Sequence, residues 1–405
     1  MRTIETRPRR TVLLVAAGVW LAGCAGGSEA ADDGRPASTV ATDGGAAAAG
    51  QTPAADQPDV PDGDGRDRSS TASSTEAASA ETDVPEREST TTTTTTLPPT
   101  TTTTLPPTTT TIPEPARMPL TGVPLAYGQQ PPDRPAMVVK IDNAPPARPQ
   151  SGFNNADIVF EEIVNDSLTR FALVFHSHGS DADVGPIRSG RIQDVDLFAS
   201  YAAPSFVWSG GNATVENAIA NSGMLDLKFG SRGLYEDPGR RAPHAVFGNL
   251  ATLWENTQPW QGRPGLQFAY RMDGEAPIGT PAVGVDVVLD SVGVRWLWDP
   301  TTGTYRREMD GEPHYDATTG QVTTHNVVVL VMNYAQGVSD SPDAQSIGYG
   351  EAFVFTGGNS IHGAWIRQDR FAPFTLIADD GSPIELTPGR TFIELPRGGT
   401  TFPIF

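Results

Sequence analysis

Beyond residue 135 the chain alternates short apolar runs with clusters of Pro, Gly and Asn, which is the pattern of strands joined by turns. Ala136–Asp142, Asp157–Val164, Phe171–His176 and Ser205–Trp208 read as strands in the first half. Between them Ile192, Val195, Phe198 and Ala199 recur at helical spacing and predict a helix over 189–201. A second short helix is expected from Val215 to Asn221, capped by Asn212 or Thr214, and a third behind Asn249 carrying Leu250, Leu253 and Trp254. The second half is strand-rich. Val283–Leu289, Gly293–Trp298, Thr304–Glu308, Asn326–Met332, Glu351–Phe355, Ile361–Arg367, Phe374–Ala378 and Thr391–Leu395 are candidates, with Asp310-Gly311 and Asp380-Gly381 as turns. The expected class is α+β with mostly antiparallel sheet, in two lobes that could share a core.

The first 117 residues follow a different pattern. Arg2, Arg7, Arg9 and Arg10 precede an apolar run from Val12 to Leu21. At about 1.5 Å per residue that run is too short to cross a bilayer core of about 30 Å, but it suits the apolar part of a signal peptide over 1–23. It ends in Leu21-Ala22-Gly23-Cys24, small residues before a cysteine, as in the lipobox of bacterial lipoproteins. Cys24 is therefore read as the lipidation site, acylated and holding the chain to the extracytoplasmic face of the cell membrane. The alternative is an ordinary signal peptide with an incidental cysteine. From there to residue 117 the sequence is rich in Ala, Asp, Thr and Pro, with Thr90–Thr96, Thr100–Thr104 and Thr108–Thr111 separated by Leu-Pro-Pro. Such a segment buries too little apolar surface to offset its ordering entropy, so 24–117 is expected to be a disordered tether. Its reach is at most about 280 Å in polyproline II and near 50 Å as a coil. A stalk of required length and a plain linker both fit.

Charge and cysteine content narrow the chemistry. A formal charge of -20 disfavours general nucleic-acid adhesion, and no nucleic-acid partner is expected. Cys24 is the one cysteine in 405 residues, so the folded part has no thiolate nucleophile or thiolate metal ligand.

Several motifs in order then become recognisable: Lys140-Ile141-Asp142-Asn143, Ala147-Arg148-Pro149-Gln150-Ser151-Gly152, Ala156-Asp157-Ile158-Val159-Phe160-Glu161, Thr169-Arg170-Phe171, Gly185-Pro186-Ile187-Arg188-Ser189 and Ala242-Pro243-His244. Tyr305-Arg306, Asp310-Gly311, His314, Asp316, Asn326-Val327-Val328-Val329 and Leu386-Thr387-Pro388-Gly389-Arg390-Thr391 continue the pattern. Together these resemble the YerB-like lipoprotein family, DUF3048, with an N-terminal domain over 118–265 and a C-terminal, strand-rich domain over 281–405. Asn165-Asp166-Ser167, Ala245 and Phe392 depart from the family's usual residues. The resemblance implies a three-layer β-β-α sandwich and supplies no reaction.

Arg148, Arg170, Arg188, Arg191 and Arg241 stand at turns and strand ends. If they converge, their guanidinium groups would bind carboxylate or phosphate. Ion pairing with Asp157, Glu161, Glu162 or Asp194 is the plainer use. His244 is the best-placed histidine for acid–base or hydrogen-bonding work, yet no Gly-x-Ser-x-Gly elbow accompanies it, and Ser189 or Ser209 could be its nucleophile only by proximity in space. Asp157 and Glu161 lie four residues apart on one strand face, about 13 Å between Cα atoms, wide for a glycosidase pair. His176 and His178 could begin a metal site but have no evident third ligand, and neither metal nor cofactor is expected. Trp208, before Ser209-Gly210-Gly211, is either a sugar platform or core. The favoured reading is a non-enzymatic envelope module that binds peptidoglycan, another wall polymer, a peptide or an envelope protein. Its rival is a wall hydrolase or transferase using His244 and nearby carboxylates. Replacing the lipidation residue, Cys24→Ser, is expected to release the protein from membranes or leave its precursor uncleaved. Membrane fractionation and precursor size check this, and normal processing with full retention would refute the anchor.

Overall fold

The computed structural model describes residues 115–177 and 182–405; the signal segment, Cys24, the tether to 114 and His178 lie outside them. Thirteen strands carry the architecture. In chain order they are β1 Met137–Asp142, β2 Ile158–Ile163, β3 Thr169–Phe175, β4 Ser205–Trp208, β5 Leu225–Lys228, β6 Gly284–Leu289, β7 Val292–Asp299, β8 Thr304–Met309, β9 Asn326–Leu330, β10 Gly348–Thr356, β11 Asn359–Arg367, β12 Thr375–Ala378 and β13 Thr391–Leu395. Three short helices accompany them: α1 Asp194–Leu197, α2 Ala213–Ala220 and α3 Leu250–Trp254. The protein is mostly β.

One sheet runs in the order β12-β11-β10-β9-β13-β2-β3-β1-β4-β5. The last strand, β13, inserts between β9 and β2 and is parallel to both, so strands from the two halves of the chain form one continuous sheet. β1 with β4 and β4 with β5 are also parallel. The sheet is thus mixed, although antiparallel pairs still outnumber parallel ones. β4 and β5 arrive through α1 and α2, and connections of that kind return a strand in the parallel sense.

β1, β2, β3, β9 and β13 are buried along their whole length. Alternate residues serve two apolar clusters. Val139, Ile141, Phe171, Leu173, Val327 and Phe392 pack with Val285, Val287, Trp296 and Tyr305 of a second sheet, β6-β7-β8. Val138, Ala172, Val174, Phe160, Val328 and Ile393 pack with Leu197, Phe198, Tyr201, Val215 and Ile219 of the helical segments. Covering both faces turns the usual apolar-polar alternation into the continuous apolar runs seen in the sequence.

The helix expected over 189–201 is a single turn, α1, followed by a 3-10 turn at Ala199–Tyr201. Two features shorten it. The Asp194 carboxylate accepts the Arg191 backbone N–H at 2.6 Å, offering that backbone a side-chain partner instead of a helical one. A side chain at Gly190 would lie 2.8 Å from the Trp208 ring, which fixes the preceding segment against the sheet. The other two helices form as read, with Asn212 accepting from the Val215 N–H at 3.0 Å and Asn249 from the Thr252 N–H at 3.1 Å.

A polar network lies between the two sheets. Arg307 of β8 is fully buried, donates to Glu161 of β2, and stands 3.8 Å from Glu394 of β13. Burial and the Glu161 charge hold the Glu394 carboxyl well above the usual range, and it accepts from Trp296 Nε1 at 2.9 Å. Arg307 Nη1 is 2.8 Å from His314 Nδ1, and His314 Nε2 is 3.1 Å from Gln150 Oε1. A guanidinium can only donate, so Nδ1 is the bare nitrogen and Nε2 carries the proton to Gln150. Burial and the Arg307 charge keep His314 neutral, its pKa well below 6.5. The sign follows: the unfolded chain takes up a proton as pH falls through 6.5 and the folded one does not, so stability present above 6.5 is lost below it. In urea titrations His314→Gln is expected to be less stable than the parent at pH 7, yet to lose about 2 kcal/mol less on going from pH 6.5 to 5. An unchanged acid slope would refute the neutral histidine.

Candidate functional site

The ends of the three central strands carry charge into the core. β1 ends on Lys140 and Asp142, β2 on Glu161 and Glu162, and β3 begins with Thr169 and Arg170, with Arg170 opposite both Asp142 and Glu162. Two loops close over these ends. In the first, Ile187 bridges Ile141, the Pro186 carbonyl accepts from Asp142 N, and Arg188 N donates to the Lys140 carbonyl. In the second, the Val246 carbonyl accepts from Ile187 N, which brings His244 beside Asp142. Pro186 and Pro243 in these loops follow cis peptide bonds.

Lys140 is fully buried and donates to Glu162 at 2.5 Å and to Asp194 at 2.9 Å. Gln193 donates to the other Glu162 oxygen at 2.7 Å. Burial and the Asp194 charge push Glu162 upward, opposed by Lys140. Next to this set Asp142 Oδ2 lies 2.7 Å from His244 Nδ1 and 3.1 Å from Arg188 Nε. A single carboxylate oxygen thus orients an imidazole and a guanidinium, and leaves His244 Nε2 without a protein partner among the described residues.

Arg170, Arg188 and Arg191 come together here. Arg170 is 9% exposed, and its one side-chain hydrogen bond among the described residues goes from Nη1 to the Ser189 carbonyl at 2.7 Å. Burial and the neighbouring positive charges of Arg191 and Arg188 lower its pKa to about 9. Arg191 donates to Asn165 Oδ1 at 2.8 Å and to the Gly190 carbonyl at 3.0 Å. The acids expected as partners are otherwise engaged. Glu161 is held by Arg307, Glu162 by Lys140, Asp194 by Lys140 and the Arg191 N–H, and Asp157 by the backbone N–H groups of His176 and Ser177.

Arg148 and Arg241 do not join the cluster through any described contact. Arg148 Nη1 lies 3.3 Å from Asp310 and Nη2 donates to the Asn143 carbonyl at 3.1 Å. Arg241 is exposed, and its carbonyl accepts the His244 N–H. Its neighbour Arg240 does more, donating to the Ala147 and Pro149 carbonyls and lying over the Phe247 ring. Ser189 and Ser209 contribute backbone groups, not hydroxyls, to this region, and the His244 ring bonds to Asp142 rather than to either. Trp208 is fully buried beside Phe206, with Nε1 donating to Asp226 at 2.7 Å, so it is core and not a platform. His176 is fully buried, its pKa lowered to about 4 by burial and by Arg134, and no group of three metal-ligating side chains occurs among the described residues.

Residues 120–261 match the N-terminal domain, and 285–393 the C-terminal domain, of the proteins of unknown function DUF3048. The chain belongs to that family. A DUF3048 relative in Bacillus subtilis (strain 168), named “Putative lipoprotein YerB”, is 27% identical over 297 residues, 69% of this chain and 86% of the relative. The crystal structure of YerB protein from Bacillus subtilis superposes with a TM-score of 0.62 at 22% identity, covering 71% of this chain and 99% of that one. At that identity the likeness is one of fold. No helix among the described residues is long and apolar enough to cross a membrane.

Lys140 was the residue that sequence reasoning passed over, though its signal was present: a lysine between Val139 and Ile141 in a strand whose neighbours are all apolar. Lys140→Met leaves Glu162 and Asp194 facing each other with no cation, and is expected to cost about 3–5 kcal/mol in equilibrium urea unfolding. A loss under about 1 kcal/mol would show that the buried triad is not what secures this end of the sheet.

Proposed function

We propose that the protein is an extracytoplasmic, lipid-anchored module that binds an anionic cell-wall component at Arg170, Arg188 and Arg191, without chemical turnover. The observation that carries this reading is the gathering of three guanidinium groups at one strand end, where Asp142 meets Arg188 and the buried Glu161, Glu162 and Asp194 are held by Arg307 and Lys140. Guanidinium groups remain charged when partly desolvated and meet carboxylate or phosphate in a bidentate fashion. Anchoring through Cys24 and spacing by the tether would hold this site within reach of the wall. In this reading 118–265 and 281–405 are two family domains built on one sheet, and the second sheet, large sheet and helices stack as a three-layer β-β-α sandwich.

The Asp142–His244 contact supports a second reading, in which His244 Nε2 acts as a general base in a wall-modifying enzyme. The two separate in one experiment on purified sacculi. The binding reading expects co-sedimentation without released fragments, weakened about tenfold, or about 1.4 kcal/mol, by the double change Arg188→Gln with Arg191→Gln. Unchanged sedimentation of the double variant would refute the arginine site. Released fragments that disappear in His244→Ala would replace binding by catalysis.

A further inference from the structure

Arg148, outside the arginine cluster, lines a separate open cavity of about 290 Å³ with Pro149, Met309, Glu312 and Tyr315. The chain between Asp142 and Pro149 divides this cavity from the cluster, since Asp142 holds Arg188 on one side and the Asn143 carbonyl holds Arg148 on the other. Tyr315 is 55% exposed, although the strand that presents it is fixed. The next residue, Asp316, accepts from the Gly152 and Phe153 N–H groups at 2.6 and 2.8 Å. An exposed aromatic ring on a fixed backbone offers apolar area at small entropic cost. Arg148 has capacity to spare at Nη1, whose contact with Asp310 is 3.3 Å long and open to solvent. Such an exposed pair is worth little and yields readily to a better-placed anion.

We propose that this cavity is a saccharide subsite for one pyranose ring bearing a carboxylate. The ring lies against Tyr315 and Pro149, its carboxylate replaces Asp310 on Arg148, and Glu312 accepts from a ring hydroxyl. The assignment deepens the wall-binding reading, on which it rests only for the origin of the sugar, and it names the chemistry as glycan rather than peptide. Met309 lines the cavity, so its methyl group reports occupancy directly.

The full chain in detergent, carrying 13C-methyl methionine, is titrated with N-acetylmuramic acid and separately with N-acetylglucosamine, which lacks the carboxylate. The expected result is a saturable Met309 shift with the acidic sugar and at least about tenfold weaker response to the neutral one. Tyr315→Ala is expected to abolish the shift, and Arg148→Gln to reduce the two sugars to equal response. Arg188→Gln, at the other site, is expected to leave it unchanged, so failure of the arginine cluster in the sacculus assay and failure of the cavity here are read independently. No Met309 shift with N-acetylmuramic acid, an equal shift with both sugars in the parent protein, or an undiminished shift in Tyr315→Ala would overturn the proposal.

Discussion

Arg307, fully buried, reaches from the second sheet to Glu161 and Glu394 of the first, and the joint between the two sheets is built around it. A lone guanidinium in that position would be prohibitively desolvated, and two ionised glutamates beside it would overcompensate. The structure resolves this through burial and the Glu161 charge, which push the Glu394 carboxyl well above the usual range, and through Trp296 donating to it. Thr169 and Asn143 donate to Glu161 at 2.6 and 3.2 Å, which places that carboxyl group in a polar cage. The rings of Phe171, Trp296 and Phe392 surround the guanidinium at 5.3, 5.7 and 5.1 Å, adding cation–π attraction and excluding water. His314 can then sit beside Arg307 only as a neutral acceptor. Every member of the set constrains the protonation or orientation of another.

The same network reaches the candidate site through its backbone. Gln150, which accepts from His314, donates to the Asp142 carbonyl at 3.0 Å and to Asn143 Oδ1 at 3.2 Å. Asp142 in turn aligns His244 and Arg188. The site therefore stands on strand ends fixed by buried hydrogen bonds, which suits recognition: little side-chain freedom remains to be lost when a ligand binds. It also explains why so many motif residues lie in the N-terminal half yet depend on the C-terminal half. Glu161 and Asn143 belong to the first, while Arg307, His314 and Glu394 belong to the second.

What could be read from the sequence was local. β4 and β13 fall on the predicted residues, and the caps at Asn212 and Asn249 form because a side-chain oxygen placed before a helix finds the free N–H groups wherever the helix lies. Strand direction was not legible, because nothing in Thr391–Leu395 indicates that it enters the sheet between strands from opposite halves of the chain. The helix over 189–201 was misjudged because its periodic apolar residues are genuine core, but Asp194 is needed by Lys140 and by the Arg191 N–H. Among the arginines, convergence was posed only as a condition, which Arg170, Arg188 and Arg191 meet. The acid that Arg188 meets is Asp142, while Glu161, Glu162 and Asp194 meet Arg307 and Lys140, cations from positions that resemble ordinary strand. Buried charge in an apolar run marks a partner but does not say which one.

This competition for carboxylates bears on selectivity. The whole chain carries a formal charge of -20, so polyanions meet repulsion at distances beyond a Debye length of about 8 Å only weakly, and more strongly as they approach. In the proposed reading, attraction arises at the strand end where Lys140 and Arg307 hold Glu162, Asp194 and Glu161 and where Asp142 meets Arg188. In that reading an anion would gain there only by coming close enough to Arg170 and Arg191 and competing with Asp142 for Arg188. Broad acidity with one local excess of guanidinium discriminates against nonspecific polyanion adhesion, where a generally basic surface would invite it. The buried cations of the core thus hold the strand ends together and take up Glu161, Glu162 and Asp194, so that Asp142 is the acid that Arg188 meets at the rim.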